Sequence, residues 1–109
     1  MHELSIANRI VEMCAECAGD ARVIRVRLEI GRLSAVLPDA VRFCFDVCAR
    51  NTVVEGAELE IVETQGLALC RDCNHEVPMA ALVGRCTCGS ANLRVIAGEE
   101  LRIKDMELA

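Results

Sequence analysis

Apolar residues recur at Leu4, Ala7, Ile10, Val11, Cys14, Cys17 and Ala18, the spacing of three and four that lines one face of an amphipathic helix. Asn8, Arg9, Glu12 and Glu16 fall off that stripe, and Gly19 with Asp20 supplies the stop. The next segment, VIRVRLEIG, changes to a period of two. Ile24, Val26, Leu28 and Ile30 share one face and Arg25, Arg27 and Glu29 the other, as in a half-buried strand. Pro38 suits the first turn of a second helix, because the N–H it lacks would have no acceptor there. That helix is predicted to run to about Arg50, with Val41, Cys44, Phe45 and Cys48 inward. Phe43 and Val47 widen the stripe, which predicts burial over more than half of its circumference. AELEIVE predicts a further strand with Leu59 and Ile61 inward, and GEELRIKDMELA another with Leu101 and Ile103 inward and Glu100, Arg102 and Lys104 outward.

Between those last two strands lies LCRDCNHEVPMAALVGRCTCGSANL, which keeps neither period. The expected fold class is therefore α/β (α+β): a small mixed sheet flanked by two helices, interrupted by a zinc-knuckle or ribbon lobe. Residues 1–66 and 99–109 form the main domain in this reading and residues 67–98 the lobe. At roughly 30 residues the lobe falls below the size, about 40, at which an apolar core alone usually suffices. Something else has to hold it.

The cysteines supply a candidate. No run approaches the roughly 18 apolar residues that span a bilayer, and no secretory or transit signal is visible, so a cytoplasmic location is expected. In a reducing compartment, eight cysteines point to metal ligands, reactive thiols or small core residues before disulfides. Cys70 and Cys73 form C-x2-C, twelve residues follow, and Cys86 and Cys88 form C-x-C ahead of Gly89. Two short-spaced pairs on facing turns bring four thiolates to one tetrahedral zinc. The second pair is one residue shorter than the usual signature, and His75 stands close enough to substitute as a ligand. A redox pair or unligated thiols are the alternatives. A closed four-sulfur shell leaves no open position, so zinc here would serve folding. Cys14, Cys17, Cys44 and Cys48 all lie on apolar stripes and read as core residues.

The first residues carry a different chemistry. The Met1 amine, the amide between residues 1 and 2, and the His2 imidazole form fused chelate rings around one cation, and the amide of Glu3 completes a plane. Nitrogen-rich square-planar coordination suits Ni(II) or Cu(II), whereas zinc prefers a tetrahedron. Amides in a first helical turn lack intrahelical acceptors, so losing their protons breaks no ladder bond. Spacing alone favours the plainer reading of the same histidine, a solvated chain end of no function.

Charge and composition narrow the classes. A net charge of −5, no Trp or Tyr and two Phe leave neither a basic footprint nor stacking rings, against a nucleic-acid partner. Residues 66–98 carry Arg71, Arg85 and Arg94 against Asp72 and Glu76, and a zinc tetrathiolate would turn that lobe slightly negative. This disfavours the main rival, a zinc-ribbon adaptor binding nucleic acid or a protein complex without nickel. An oxidoreductase built on CAEC is weaker still, because a reactive thiol needs an exposed or electropositive setting. No phosphate loop, Ser/His/Asp set or dinucleotide fingerprint suggests an enzyme.

MHELSIA, VRLEIGRLSAVLPDAVRFCFD, the C-x2-C with CTCGS, and GEELRIKDMEL together resemble the hydrogenase-maturation nickel metallochaperones of the HypA/HybF family, over essentially the whole chain. The resemblance implies a cytoplasmic carrier that binds Ni(II) as cargo at Met1, His2 and Glu3 and holds structural Zn(II) at Cys70, Cys73, Cys86 and Cys88. It implies a nickel-inserting maturation GTPase and the hydrogenase large subunit as partners, with no membrane or nucleic acid. A monomer or weak homodimer is expected.

Overall fold

The structure, a computed structural model, describes residues 2–109. In chain order the elements are α1 (Glu3–Ala18), β1 (Val23–Gly31), α2 (Pro38–Ala49), β2 (Glu58–Thr64), β3 (Gly66–Cys70), β4 (Glu76–Met79), β5 (Leu93–Ala97) and β6 (Leu101–Leu108). β1 lies at the centre of a mixed sheet, parallel to β2 and antiparallel to β6. A parallel neighbour requires a crossover, and α2 supplies it. The two helices pack on each other over the inward face of this sheet. Ala7, Ile10 and Cys14 of α1, Val41 and Phe45 of α2, and Val26, Leu28 and Ile30 of β1 form the core. No helix among the described residues is long and apolar enough to cross a membrane.

Two compensating bulges modify the predicted alternation. β1 carries an extra residue at Ile24 and β6 one at Lys104, so the register shifts once and then returns. Val23 and Val26 therefore both face inward, and Ile24, expected inside, is 45% exposed. Glu29, expected outward, is on the outer face yet almost fully covered, because Arg102 of β6 lies across it as an ion pair.

Other burial expectations are corrected by the packing of α2. That helix meets α1 along one face, and among the described residues nothing covers the opposite one. Phe43 is 72% and Val47 41% exposed. Leu4 and Leu101, both predicted inward, sit at the rim of the core and are exposed. Cys17 is exposed as well, so of the four helical cysteines Cys14 alone is fully buried.

The cysteine-rich segment, read as lacking strand period, forms a second, antiparallel sheet ordered β4-β3-β5. Its central strand does alternate, burying Gly66, Ala68 and Cys70. Those residues are too small to register as an apolar pattern. Pro78 is tolerated because β4 is an edge strand. Leu33, Ala68 and Met79 make up the buried apolar cluster of this sheet.

Three glycines join the two sheets. Gly31, Gly66 and Gly98 meet backbone to backbone: a Cβ on Gly31 would fall inside the Gly98 carbonyl, and one on Gly66 inside that of Met79. Gly98 also holds a φ of 103°, which disfavours any side chain. The backbone N–H groups of Gly31, Arg32 and Leu33 donate to the carbonyls of Glu100, Thr64 and Gly98 at 2.7 to 2.9 Å.

Candidate metal centre

Two turns present the four lobe cysteines. In the first, the Asn74 N–H donates to the Cys70 carbonyl at 2.8 Å, the Cys70 N–H donates to the His75 backbone carbonyl at 2.9 Å, and Asn74 takes a left-handed φ of 63°. In the second, the Gly89 N–H donates to the Cys86 carbonyl at 2.9 Å, closing a four-residue turn, with Gly89 at a φ of 91°. This tight turn is how a C-x-C pair still aims both sulfurs inward. Glycine there costs little where other residues would be strained.

The four Sγ atoms all lie within 4.8 Å of one another. Cys70 and Cys88 approach to 3.7 Å and Cys73 and Cys86 to 3.4 Å. Zn–S bonds of about 2.3 Å in a tetrahedron require sulfurs about 3.8 Å apart. The donor set and its spacing thus fit zinc. The backbone N–H of Cys88 and the Cys73 thiol hold Cys86 down to about 6, below the ordinary thiol range. The Cys73 thiol is pushed up to about 12 by its bond to Cys86, against the opposing N–H of His75. His75 places Nδ1 3.2 Å from Cys73 Sγ, at the side of a cluster that the four sulfurs complete without it.

Sequence reasoning missed the brace between the two turns. Ser90 Oγ donates to the Asp72 carboxylate and accepts the Asn92 N–H at 3.0 Å, while the Ser90 carbonyl accepts the Cys86 N–H at 2.9 Å. A serine and an aspartate among loop residues carry no spacing signal that would have marked them.

At the other end, His2 is the exposed N-cap of α1 and its side chain makes no capping bond. Its carbonyl accepts the Ile6 N–H at 3.1 Å, the first bond of the helix. Glu3 is half-buried and its carboxylate accepts the Leu37 N–H at 3.4 Å. Met1, the third expected nickel donor, lies outside the described residues. Among the helical cysteines, burial pushes the Cys14 thiol up to about 11, which suits an inert core residue. No metal-ligand cluster other than the lobe sulfurs is present among the described residues.

Helices over a mixed sheet, joined to a lobe whose largest chemical feature is a sulfur tetrahedron, define a small metal-handling protein of the α+β class. The family described as "Hydrogenase/urease nickel incorporation, metallochaperone, hypA" matches residues 1–108. The hydrogenase maturation factor HypA of Trichormus variabilis is 54% identical over 108 residues, covering 99% of this chain and 96% of that protein. HypA of Geobacter metallireducens is 47% identical over 109 residues, covering 99% of both. The solution structure of the Ni metallochaperone HypA from Helicobacter pylori superposes with a TM-score of 0.71 at 31% identity, covering 99% of this chain and 97% of that one. The chain belongs to the HypA family of nickel metallochaperones.

Proposed function

We propose that the chain binds Ni(II) at its N-terminus, through the Met1 amine, the His2 amide and imidazole and the Glu3 backbone, and delivers it for maturation of [NiFe] hydrogenase. The observation that carries this reading is His2, held exposed at the start of α1 with its imidazole unused by the cap. Glu3 is the first residue of that helix, where an N–H has no intrahelical acceptor. An exposed terminal site releases its ion by ligand exchange, incoming donors replacing outgoing ones without opening the fold. Zn(II) is assigned to Cys70, Cys73, Cys86 and Cys88 as a structural ion, kept apart from the cargo by ligand type: thiolates for zinc, nitrogen for nickel. Residues 67–98 then act as the zinc domain, and 1–66 with 99–109 as the nickel domain. A nickel-inserting GTPase and the hydrogenase large subunit are the proposed partners, in line with the maturation-factor relatives.

The test is isothermal calorimetry on tag-free protein. Adding one residue before Met1, or His2→Ala, should abolish stoichiometric nickel binding while zinc content and circular dichroism stay unchanged. Unchanged nickel affinity in both variants would overturn the terminal site.

A further inference from the structure

β6 is an edge strand, paired with β1 on one side. Between its inward face and α1 runs an apolar groove of about 300 Å³, lined by Ile6, Ile10 and Met13 of the helix and by Leu101 and Ile103 of the strand. Leu101 and Leu108 are 38% and 40% exposed, so the apolar face continues to both ends of the strand.

The bulge at Lys104 sets the pattern on this strand. Leu101, Ile103, Met106 and Leu108 stand opposite Ile30, Leu28, Val26 and Val23 on the inward face of β1, while Arg102, Asp105 and Glu107 stand opposite Glu29, Arg27 and Arg25 on the outer face. Laid antiparallel on itself about the Lys104–Asp105 peptide, LRIKDMEL matches at every position: Leu101 with Leu108, Arg102 with Glu107, Ile103 with Met106, and Lys104 with Asp105. In a regular strand this register would fail, because residues three apart point to opposite faces. The extra residue puts Ile103 and Met106 on one face and Arg102 and Glu107 on the other, so each of these pairs stays on its own side under a two-fold axis normal to the sheet. Lys104 and Glu107 also have no ion-pair partner among the described residues.

We propose that a second copy of this chain docks along β6, antiparallel across a two-fold axis at Lys104–Asp105, joining two three-stranded sheets into one of six strands. A lysine and a bulge on an edge discourage unlike strands. A second copy carries the same bulge at the same height, so this device selects for self-pairing. Two strands of eight residues make a small interface, which places the dimer at the weak, concentration-dependent end of the range.

Sedimentation velocity of tag-free, zinc-loaded protein from micromolar to millimolar concentration should show a reversible monomer–dimer equilibrium. Lys104→Glu sets two like-charge pairs against Asp105 and should weaken the dimer about tenfold or more, with zinc content and circular dichroism unchanged. Independently of any variant, carbodiimide treatment of mixed light and heavy isotope-labelled copies should join Lys104 of one to Asp105 of the other. A chain that stays monomeric throughout, or a dimer that Lys104→Glu leaves unaltered, overturns the proposal.

Discussion

The Glu3 carboxylate accepts the backbone N–H of Leu37, the residue that caps α2, at 3.4 Å. This is the contact that a capping-box glutamate makes to the N-cap N–H within one helix, supplied here to α2 from the first residue of α1. Glu3→Ala should therefore lower unfolding free energy by about 0.5 kcal/mol in urea titration, at the low end for a lost cap because the contact is long and exposed. Nickel stoichiometry should survive this change, since the proposed Glu3 donor is backbone.

The lobe should depend on its ion. Its buried apolar set is Leu33, Ala68 and Met79, too few to hold three short strands. Exhaustive chelation, or Cys70→Ser with Cys86→Ser, should abolish amide protection in β3, β4 and β5 by hydrogen exchange. Protection in α1 and α2 should remain, because their core shares none of those residues.

The glycine joint should tolerate no side chain. Gly31→Ala forces a methyl into the Gly98 carbonyl, a backbone atom held on both sides. The expected loss is about 2–3 kcal/mol, as for other forced overpacking, and a urea midpoint shift reads it. Gly19→Ala meets open space, so its cost comes from backbone strain alone, a φ of 61° with a ψ of −118° that only glycine adopts readily.

Acid should loosen the same joint. Thr64 Oγ1 donates to Glu100 at 2.6 Å and the Gly98 N–H donates to both carboxylate oxygens at 3.0 Å, which together hold Glu100 below the usual carboxylate range. A pKa depressed in the folded state favours folding above the ordinary value of about 4.3 and loses that contribution as pH falls through the folded value. Melting temperature followed from pH 7 downward should drop in that window, and Glu100→Gln should flatten part of the fall.

Long periodic segments were legible because periodicity is what burial imposes on them. α1, β1, α2, β2 and β6 all formed where the pattern placed them, and the α+β class with an inserted cysteine lobe followed. Ile24 was misplaced because a bulge depends on pairing with β6, more than seventy residues away. Phe43 was misplaced because a helix pattern records which residues are apolar and not which faces find a neighbour. The four lobe sulfurs could be grouped from spacing alone, since short turns fix where they point. The Asp72–Ser90 brace could not, because it joins two turns whose approach is decided by the strands between them.

The strand that finishes the first sheet follows the lobe in the chain, while the strand it must join precedes it. During synthesis, β3, β4 and β5 leave the ribosome while β1 still has one bare edge. The first sheet therefore waits on the last eight-residue strand, which acts as a late seal on the helical half.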